Sequence, residues 1–219
     1  MDKFQSTKKS TFFVLLLCLT SSAWAAEEGW YIGANFGAML SDDVSTVSTG
    51  TAAPGEWKVS PETGFSAGLQ GGYRFGNNWR ADFGWTYGST DSQTRDITTS
   101  SVFGGDYASS LLNFGASYEW EGLGAWKPFV SAGAIWSQEV DLDLESPAGN
   151  YSFSGDGEFG YYLGAGVLYT LTHSWGLNLE WRLISLSGLE LEGEDQTAGK
   201  VNSIDYEASN LRIGIEYRF

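Results

Sequence analysis

The segment Leu211-Arg212-Ile213-Gly214-Ile215-Glu216-Tyr217-Arg218-Phe219 decides the fold. In an extended strand, alternate side chains point to opposite faces. The apolar and aromatic residues share one face: Leu211, Ile213, Ile215, Tyr217 and Phe219. Arginine, glycine and glutamate occupy the other: Arg212, Gly214, Glu216 and Arg218. Such alternation is typical of a strand that separates lipid from a polar interior.

The same alternation recurs in seven other segments: 30–38, 65–75, 79–87, 112–120, 128–136, 159–169 and 177–183. Most approach the roughly 9–11 residues that a tilted membrane strand needs. Together with the last segment they predict an all-β fold, an eight-stranded antiparallel transmembrane β-barrel of the outer-membrane type.

The connections between these segments alternate in length. Residues 76–78, 121–125 and 171–174 form short turns, whereas 41–60, 89–106, 138–157 and 187–203 form long polar loops. Short periplasmic turns and long extracellular loops are the expected asymmetry of an outer-membrane barrel. A soluble lipocalin-like barrel is the alternative architecture, with the two faces inverted. It leaves the loop asymmetry and the terminal Phe219 unexplained.

The N-terminus has the pattern of a secretory signal peptide. Lys3, Lys8 and Lys9 precede a short apolar run, and Ala23-Trp24-Ala25 supplies small residues for cleavage. We predict that residues 1–25 are removed and that residues 26–219 form the outer-membrane β-barrel domain. Cys18, the one cysteine, lies within the predicted signal peptide.

The charge balance excludes some functions. The chain has 12 basic and 27 acidic residues, a net charge of −15. Nucleic-acid binding requires a basic surface, so we expect no nucleic-acid partner. Aromatic residues make up 16% of the chain, which argues against disorder.

The inward faces of the predicted strands carry charges of both signs. The candidate lumen network comprises Arg74, Arg80, Asp82, Glu119, Glu180, Arg182, Arg212 and Glu216. Buried charges persist only when they are paired and hydrogen-bonded. Because eight strands enclose only enough space for side chains, we predict a salt-bridge network that plugs the lumen. A narrow ion-conducting channel, gated by rearranged pairs, is the alternative.

The long loops concentrate acidic residues. Glu139, Asp141, Asp143 and Glu145 alternate with apolar residues, and so do Glu190, Glu192 and Glu194. This pattern predicts hairpins that extend beyond the membrane with one acidic face. Such faces are candidates for weak Ca²⁺ or Mg²⁺ binding, or for contact with an extracellular ligand. The competing interpretation is that these acidic side chains are simply solvated and keep exposed strands from aggregating.

We predict neither catalysis nor a cofactor. Barrel enzymes that modify lipid A use a histidine with a serine and an acid at the outer-leaflet end. His173, the one histidine, falls in the short turn 171–174, which belongs to the opposite end.

Several motifs resemble the small outer-membrane β-barrel family typified by the transmembrane domain of OmpA. They are Gly29-Trp30-Tyr31-Ile32-Gly33-Ala34-Asn35-Phe36-Gly37, Trp126-Lys127-Pro128-Phe129-Val130, Leu179-Glu180-Trp181-Arg182 and Glu216-Tyr217-Arg218-Phe219. The resemblance implies the bacterial outer membrane, with its lipids and lipopolysaccharide as partners, and a monomer. Tyr217 and Phe219 resemble the C-terminal signal that the barrel assembly machinery recognises. The chain ends with the barrel, so we expect no peptidoglycan-binding domain.

Overall fold

The computed structural model describes residues 28–49, 55–121, 123–146, 149–194 and 199–219, so the predicted signal peptide lies outside the described residues. The described chain is built of antiparallel strands. They are β1 (Gly29–Ser41), β2 (Val44–Ser48), β3 (Gly55–Pro61), β4 (Thr63–Arg74), β5 (Trp79–Asp96), β6 (Val102–Glu119), β7 (Trp126–Ser146), β8 (Gly149–Gly155), β9 (Phe159–Thr170), β10 (Trp175–Gly193) and β11 (Lys200–Arg218). Within the described segments, no helix is long and apolar enough to span a membrane.

The strands close into a barrel. Each neighbouring pair in the series β1, β4, β5, β6, β7, β9, β10, β11 is antiparallel, and β11 pairs back onto β1. Ala34 on β1, for example, faces Leu69 on one side and Ile215 on the other. Closure pairs both edges of the sheet and leaves no open edge strand in this ring.

The expected count of eight strands is not confirmed, because the described residues form eleven strands, eight of which make up the closed ring. Three of the predicted segments have an interrupted continuation at one end of the barrel. Residues 42 and 43 separate β1 from β2, residue 62 separates β3 from β4, and residues 156–158 separate β8 from β9. Beyond these breaks β2, β3 and β8 pair with β11, β5, β7 and β10, so the wall continues.

The expectation of four long loops is also wrong for much of those segments. β7, for example, runs unbroken for 21 residues, twice what a membrane crossing needs. Along β7 and β10 the polar residues of the predicted loops alternate with buried apolar ones such as Val140, Leu142 and Leu189. Along β5 the buried alternate residues are polar: Thr90, Ser92 and Thr94. Residues 75–78, 120–121 with 123–125, and 171–174 lie between strands at the other end, where short turns are predicted. We call this the turn end, and the opposite end the extended end.

The outer surface of the barrel is apolar around its waist. Ile32, Phe36, Phe83, Leu179 and Ile213 are all exposed there. Aromatic side chains gather at the turn end in contacting pairs: Trp30–Tyr73, Tyr73–Phe75, Trp79–Tyr118, Tyr118–Trp120, Trp126–Tyr169, Trp175–Tyr217 and Tyr217–Phe219. A belt of this kind is characteristic of a membrane interface.

Candidate functional site: the lumen and the acidic outer face

The predicted lumen residues lie together inside the wall. Seven of the eight are buried, and Asp82 is largely buried. Their strands bring them from distant parts of the sequence into two adjoining clusters. Such burial demands ion pairing, because an isolated charge in a dry interior is very costly.

The cluster nearer the turn end is organised by two carboxylates. Nη2 of Arg74 donates to Oε1 of Glu119 at 2.7 Å and to Oε1 of Glu216 at 3.2 Å. Nη1 of Arg80 donates to Oε1 of Glu119 at 3.0 Å and to Oε2 of Glu216 at 3.3 Å. Arg218 also donates to Glu216, through Nε at 3.1 Å. Each carboxylate therefore joins at least two arginines.

The second cluster is centred on Glu180. Nε of Arg212 donates to Oε2 of Glu180 at 2.9 Å, and Nη2 of Arg182 donates to Oε1 at 3.2 Å. The hydroxyl of Ser131 adds a hydrogen bond to Oε1 at 2.7 Å. The guanidinium of Arg182 also lies 3.9 Å from the centre of the Tyr162 ring, where a cation–π attraction operates.

Asp82 links the network to the wall. It accepts hydrogen bonds from the hydroxyls of Tyr31 and Ser117, and from Nη2 of Arg80 at 3.1 Å. Arg80 itself lies over the ring of Tyr31, 4.7 Å from its centre. These contacts hold the Arg80 side chain between Asp82 on its own strand, β5, and Tyr31 on β1.

Sequence reasoning omitted some members of this site. Lys127 is buried near the turn end, and Tyr31, Ser117 and Ser131 supply hydroxyl partners. All four follow the inward alternation of their strands. The signal was present: a search aimed at charge overlooks the hydroxyls, and Lys127 was omitted although its inward position follows from the alternation.

The lumen at the extended end is largely apolar, although buried Thr90, Ser92 and Thr94 also lie there, and the alternation in the sequence did not predict this. A buried cluster fills it, and we call this cluster the apolar plug. It comprises Met39, Val44, Trp57, Val59, Tyr107, Leu111, Ile135, Val140, Leu142, Leu144, Phe153, Tyr162, Ile184, Leu186, Leu189, Leu191, Val201, Tyr206 and Ala208. Trp57 packs edge-on against Phe153, with 5.8 Å between ring centres. The lumen thus contains ion pairs in one half and hydrophobic packing in the other.

The predicted acidic faces lie on the outside of the wall around the plug. A depression of about 640 Å³ is lined by polar and acidic side chains, with glycines: Gln138, Glu139, Ser154, Gly155, Asp156, Glu158, Gly188, Glu190 and Glu192. Desolvation, together with Glu139, Asp143 and Glu194, raises the pKa of nearby Asp141 to about 6. Carboxylates repel one another on this side of the barrel.

Within the described segments, no group of three or more His, Cys, Asp or Glu side chains is arranged to hold a metal ion. Weak Ca²⁺ or Mg²⁺ binding by the acidic faces stays a prediction. His173 lies at the turn end, beside a small cavity that Arg74 and Arg218 also line.

Comparison with known proteins agrees with this architecture. A family model described as "outer membrane protein beta-barrel domain" matches residues 11–219. No curated protein matches the chain.

Solved structures share the fold at low sequence identity. OprG from Pseudomonas aeruginosa is 17% identical with a TM-score of 0.63, over 87% of this chain and 96% of OprG. Neisserial surface protein A is 19% identical with a TM-score of 0.51, over 87% and 97% of the two chains. AlkL, solved in lipid bilayers by solid-state NMR, is 16% identical with a TM-score of 0.51, over 94% and 97%.

Proposed function

The chain belongs to the outer membrane protein β-barrel domain family and resides in the bacterial outer membrane, and from that premise we propose that it is a closed, non-catalytic barrel with a surface-contact role. In this proposal eight strands form the transmembrane wall, the turn end faces the periplasm, and the extended end projects outside the cell. Outer-membrane lipids and lipopolysaccharide surround the apolar waist. The packing inside the wall, with ion pairs towards the turn end and the apolar plug towards the extended end, is the observation that supports this proposal.

Closure argues for a role outside the lumen. A solute entering from the extended end meets side chains such as Leu142, Leu186 and Leu189, all fully buried. A solute entering from the turn end meets Arg74 and Arg80 bonded to shared carboxylates. Passage requires displacement of both barriers, and each is held by many close contacts.

The extended end supports surface contact. The strands β7, β10 and β11 run past the waist, and the apolar plug fixes them as a rigid stem. On the outside of this stem, the depression lined by Glu139, Glu158 and Glu190 presents negative charge. A positively charged partner is the class that this surface attracts, because complementary potentials steer encounters.

A narrow channel is the second candidate, and one observation favours it. Arg74 and Arg80 both contact both Glu119 and Glu216, so pairs can exchange without leaving a carboxylate unpaired. A conducting path additionally requires the apolar plug to open. A lipid A-modifying activity has less support, since His173 lies at the turn end.

Tyr217 and Phe219 belong to the proposal as the signal for the assembly machinery. Phe219 is 75% exposed on the outside and packs edge-on against Tyr217. An exposed terminal aromatic is available for recognition.

The experiment compares binding of a poly-lysine peptide to two triple variants of the refolded barrel in lipid nanodiscs. One variant carries Glu139→Gln, Glu158→Gln and Glu190→Gln. The control carries Glu56→Gln, Glu62→Gln and Asp91→Asn, which removes equal charge from exposed residues elsewhere on the extended end.

We expect about tenfold weaker binding by the first variant, equivalent to about 1.4 kcal/mol, and under twofold for the control. Equal weakening of both variants, or no binding by the unmodified barrel, would overturn the proposed acidic contact surface.

A further inference from the structure

A mostly apolar groove lies on the outer face of the wall, at the upper limit of the waist. Its volume is about 240 Å³, and it crosses β9, β10 and β11. The small side chains of Ser185 and Ser209 line it and leave room between larger neighbours. The apolar residues that line it are Tyr161, Leu163, Leu183, Ile184 and Ala208. Because Tyr161, Leu163 and Leu183 are exposed, the groove opens to the outside of the barrel and not to the lumen.

The height of the groove on the wall follows from β10. Ser185 lies ten residues (185 minus 175) beyond Trp175, which belongs to the aromatic belt at the turn end. Ten residues span about 33 Å of strand, or about 25 Å along the axis of a barrel whose strands tilt by about 40°. The apolar band of an outer-membrane barrel is also about 25 Å tall. The groove therefore opens where hydrocarbon gives way to headgroups.

Two carboxylates lie at the rim of the groove. Tyr161, Ser185 and Glu207 are side by side on β9, β10 and β11. The backbone N–H of Asp42 donates to the carbonyl of Glu207 at 3.0 Å, and both of these acidic residues line the groove. No lysine or arginine is among the described residues that line it. This rim favours a positively charged headgroup and repels a phosphate.

The acidic depression continues from the groove along the same strands. On β10, Gly188 of the depression lies three residues (188 minus 185) beyond Ser185 of the groove. Just before β9, Glu158 of the depression lies three residues (161 minus 158) from Tyr161 of the groove. Three residues of strand span about 10 Å. An apolar groove at the membrane boundary and a negatively charged depression just beyond it thus form one continuous surface.

We propose that the groove and the acidic depression together bind a cationic amphiphile, a molecule with one hydrocarbon tail and a polycationic headgroup. The tail enters the groove from the outer leaflet and packs on Tyr161, Leu163 and Leu183. Since hydrocarbon surrounds the waist, the tail need not cross water to enter, and the carboxylates select which amphiphile stays.

The headgroup contacts the rim and then the depression. Glu207 lies beside the mouth of the groove, and Glu139, Glu158 and Glu190 lie further out. Glu192, at the end of the depression remote from the groove, is already paired with Lys200. The inference rests on the proposed function, because it names the class of partner for the same acidic contact surface.

The test is photolabelling of the refolded barrel in nanodiscs of phosphatidylcholine. The probe is a tetra-lysine peptide that carries an N-terminal decanoyl chain with a diazirine at its end, and mass spectrometry locates the label. We expect at least fivefold more label in residues 159–163 and 183–185 than in residues 85–89, which reach the same height on β5.

A matched pair of variants tests the groove itself. Ser185→Phe fills the groove and should reduce labelling there at least fivefold. Ser89→Phe is the control, because Ser89 also lies ten residues (89 minus 79) beyond the tryptophan that begins its strand. It should leave labelling of the groove unchanged. Ser185→Leu serves as a second variant if the phenylalanine variant does not refold.

The charge of the headgroup is tested in two ways. The triple variant Glu139→Gln, Glu158→Gln and Glu190→Gln should reduce labelling of the groove at least threefold. A decanoyl tetra-serine probe, which has the same tail and no positive charge on its side chains, should label the waist evenly.

Even labelling around the waist by the tetra-lysine probe would overturn the inference, since the groove would then be ordinary lipid-facing surface. Groove labelling that the triple variant and the tetra-serine probe leave unchanged would overturn it as well, because the tail would bind without the acidic surface. If poly-lysine still binds through the depression in either case, the proposed contact surface stands and only the amphiphile is excluded.

Discussion

Arg80 and Glu216 contact each other across the lumen, with 3.3 Å between Nη1 and Oε2. They lie on β5 and β11, strands that β1 and β4 separate on the wall, and 136 positions apart in sequence. The contact therefore exists only when the barrel is closed. It makes the ion-pair network a consequence of closure and a means of holding it.

Removal of the Glu216 carboxylate should destabilise the closed barrel. Glu216→Gln leaves Arg74, Arg80 and Arg218 with fewer acceptors, and breaking a buried pair costs about 3–5 kcal/mol. Urea unfolding of the barrel refolded in lipid vesicles measures the change. Glu207→Gln, at an exposed position on the same strand, should leave the free energy of unfolding nearly unchanged. An equal loss in both variants would contradict the special contribution of the lumen pairs.

A charge on the waist should be costly. Leu179 is exposed on the outer face, and Leu179→Arg places a guanidinium against lipid. Near the bilayer midplane we expect a loss of about 2–4 kcal/mol. Leu123→Arg, in the turn 120–125, is the control and should cost under about 1 kcal/mol. A neutral Leu179→Arg in the same vesicle titration would contradict the assignment of the waist.

The apolar plug should support the extended end. Trp57→Ala removes a fully buried side chain, and the cavity that remains should cost about 3–5 kcal/mol. Hydrogen exchange should show faster exchange in the strand ends around Phe153 and Val59, with the waist still protected. Val47→Ala, at an exposed position on β2, is the control. Unchanged protection in Trp57→Ala would mean that the plug does not hold these strands.

Asp141 should make stability depend on pH. Its pKa is raised from 3.8 to about 6, so the folded state holds this proton more tightly than the unfolded chain does. Stability from this group is therefore lost as the pH rises between these values and stays lost above them. Asp141→Asn should stabilise the barrel at pH 7.5 and have no effect at pH 3. Asp106→Asn, an exposed position on β6, is the comparison; the same gain for both variants, or none for Asp141→Asn, would contradict this account.

The sequence predicts the half of the barrel nearer the turn end well, because one physical rule governs the strands there. Each strand there separates lipid from a polar interior, so Glu180, Arg182 and Arg212 appear at alternate positions. Alternation does not say which inward-facing side chains come close enough to contact each other. It places Arg80 and Glu216 on inward faces, but their contact depends on the closed ring and on side-chain length.

The half nearer the extended end was harder to predict, because bulges reverse the alternation of inward and outward side chains along the strands. Odd-numbered residues of β7 such as Ser131 point inward, but the ladder shifts register between Ser110 and Leu111 of β6, opposite Gln138. Beyond that shift Val140 points inward and Glu139 outward. A second irregularity follows Leu186 on β10. The acidic residues of the predicted loops were visible in the sequence, but their apolar neighbours required a structure before they could be recognised as a plug.

Single-channel recording from the refolded barrel in a planar bilayer tests the closed lumen most directly. Refolding is first verified by the heat-dependent shift in gel mobility, and recordings are made in sodium chloride with and without millimolar Ca²⁺. The account predicts a silent bilayer, because ion pairs such as Arg80–Glu216 and the apolar plug both block the path. Discrete, reproducible conductance steps from folded protein would contradict it and make the barrel a narrow channel.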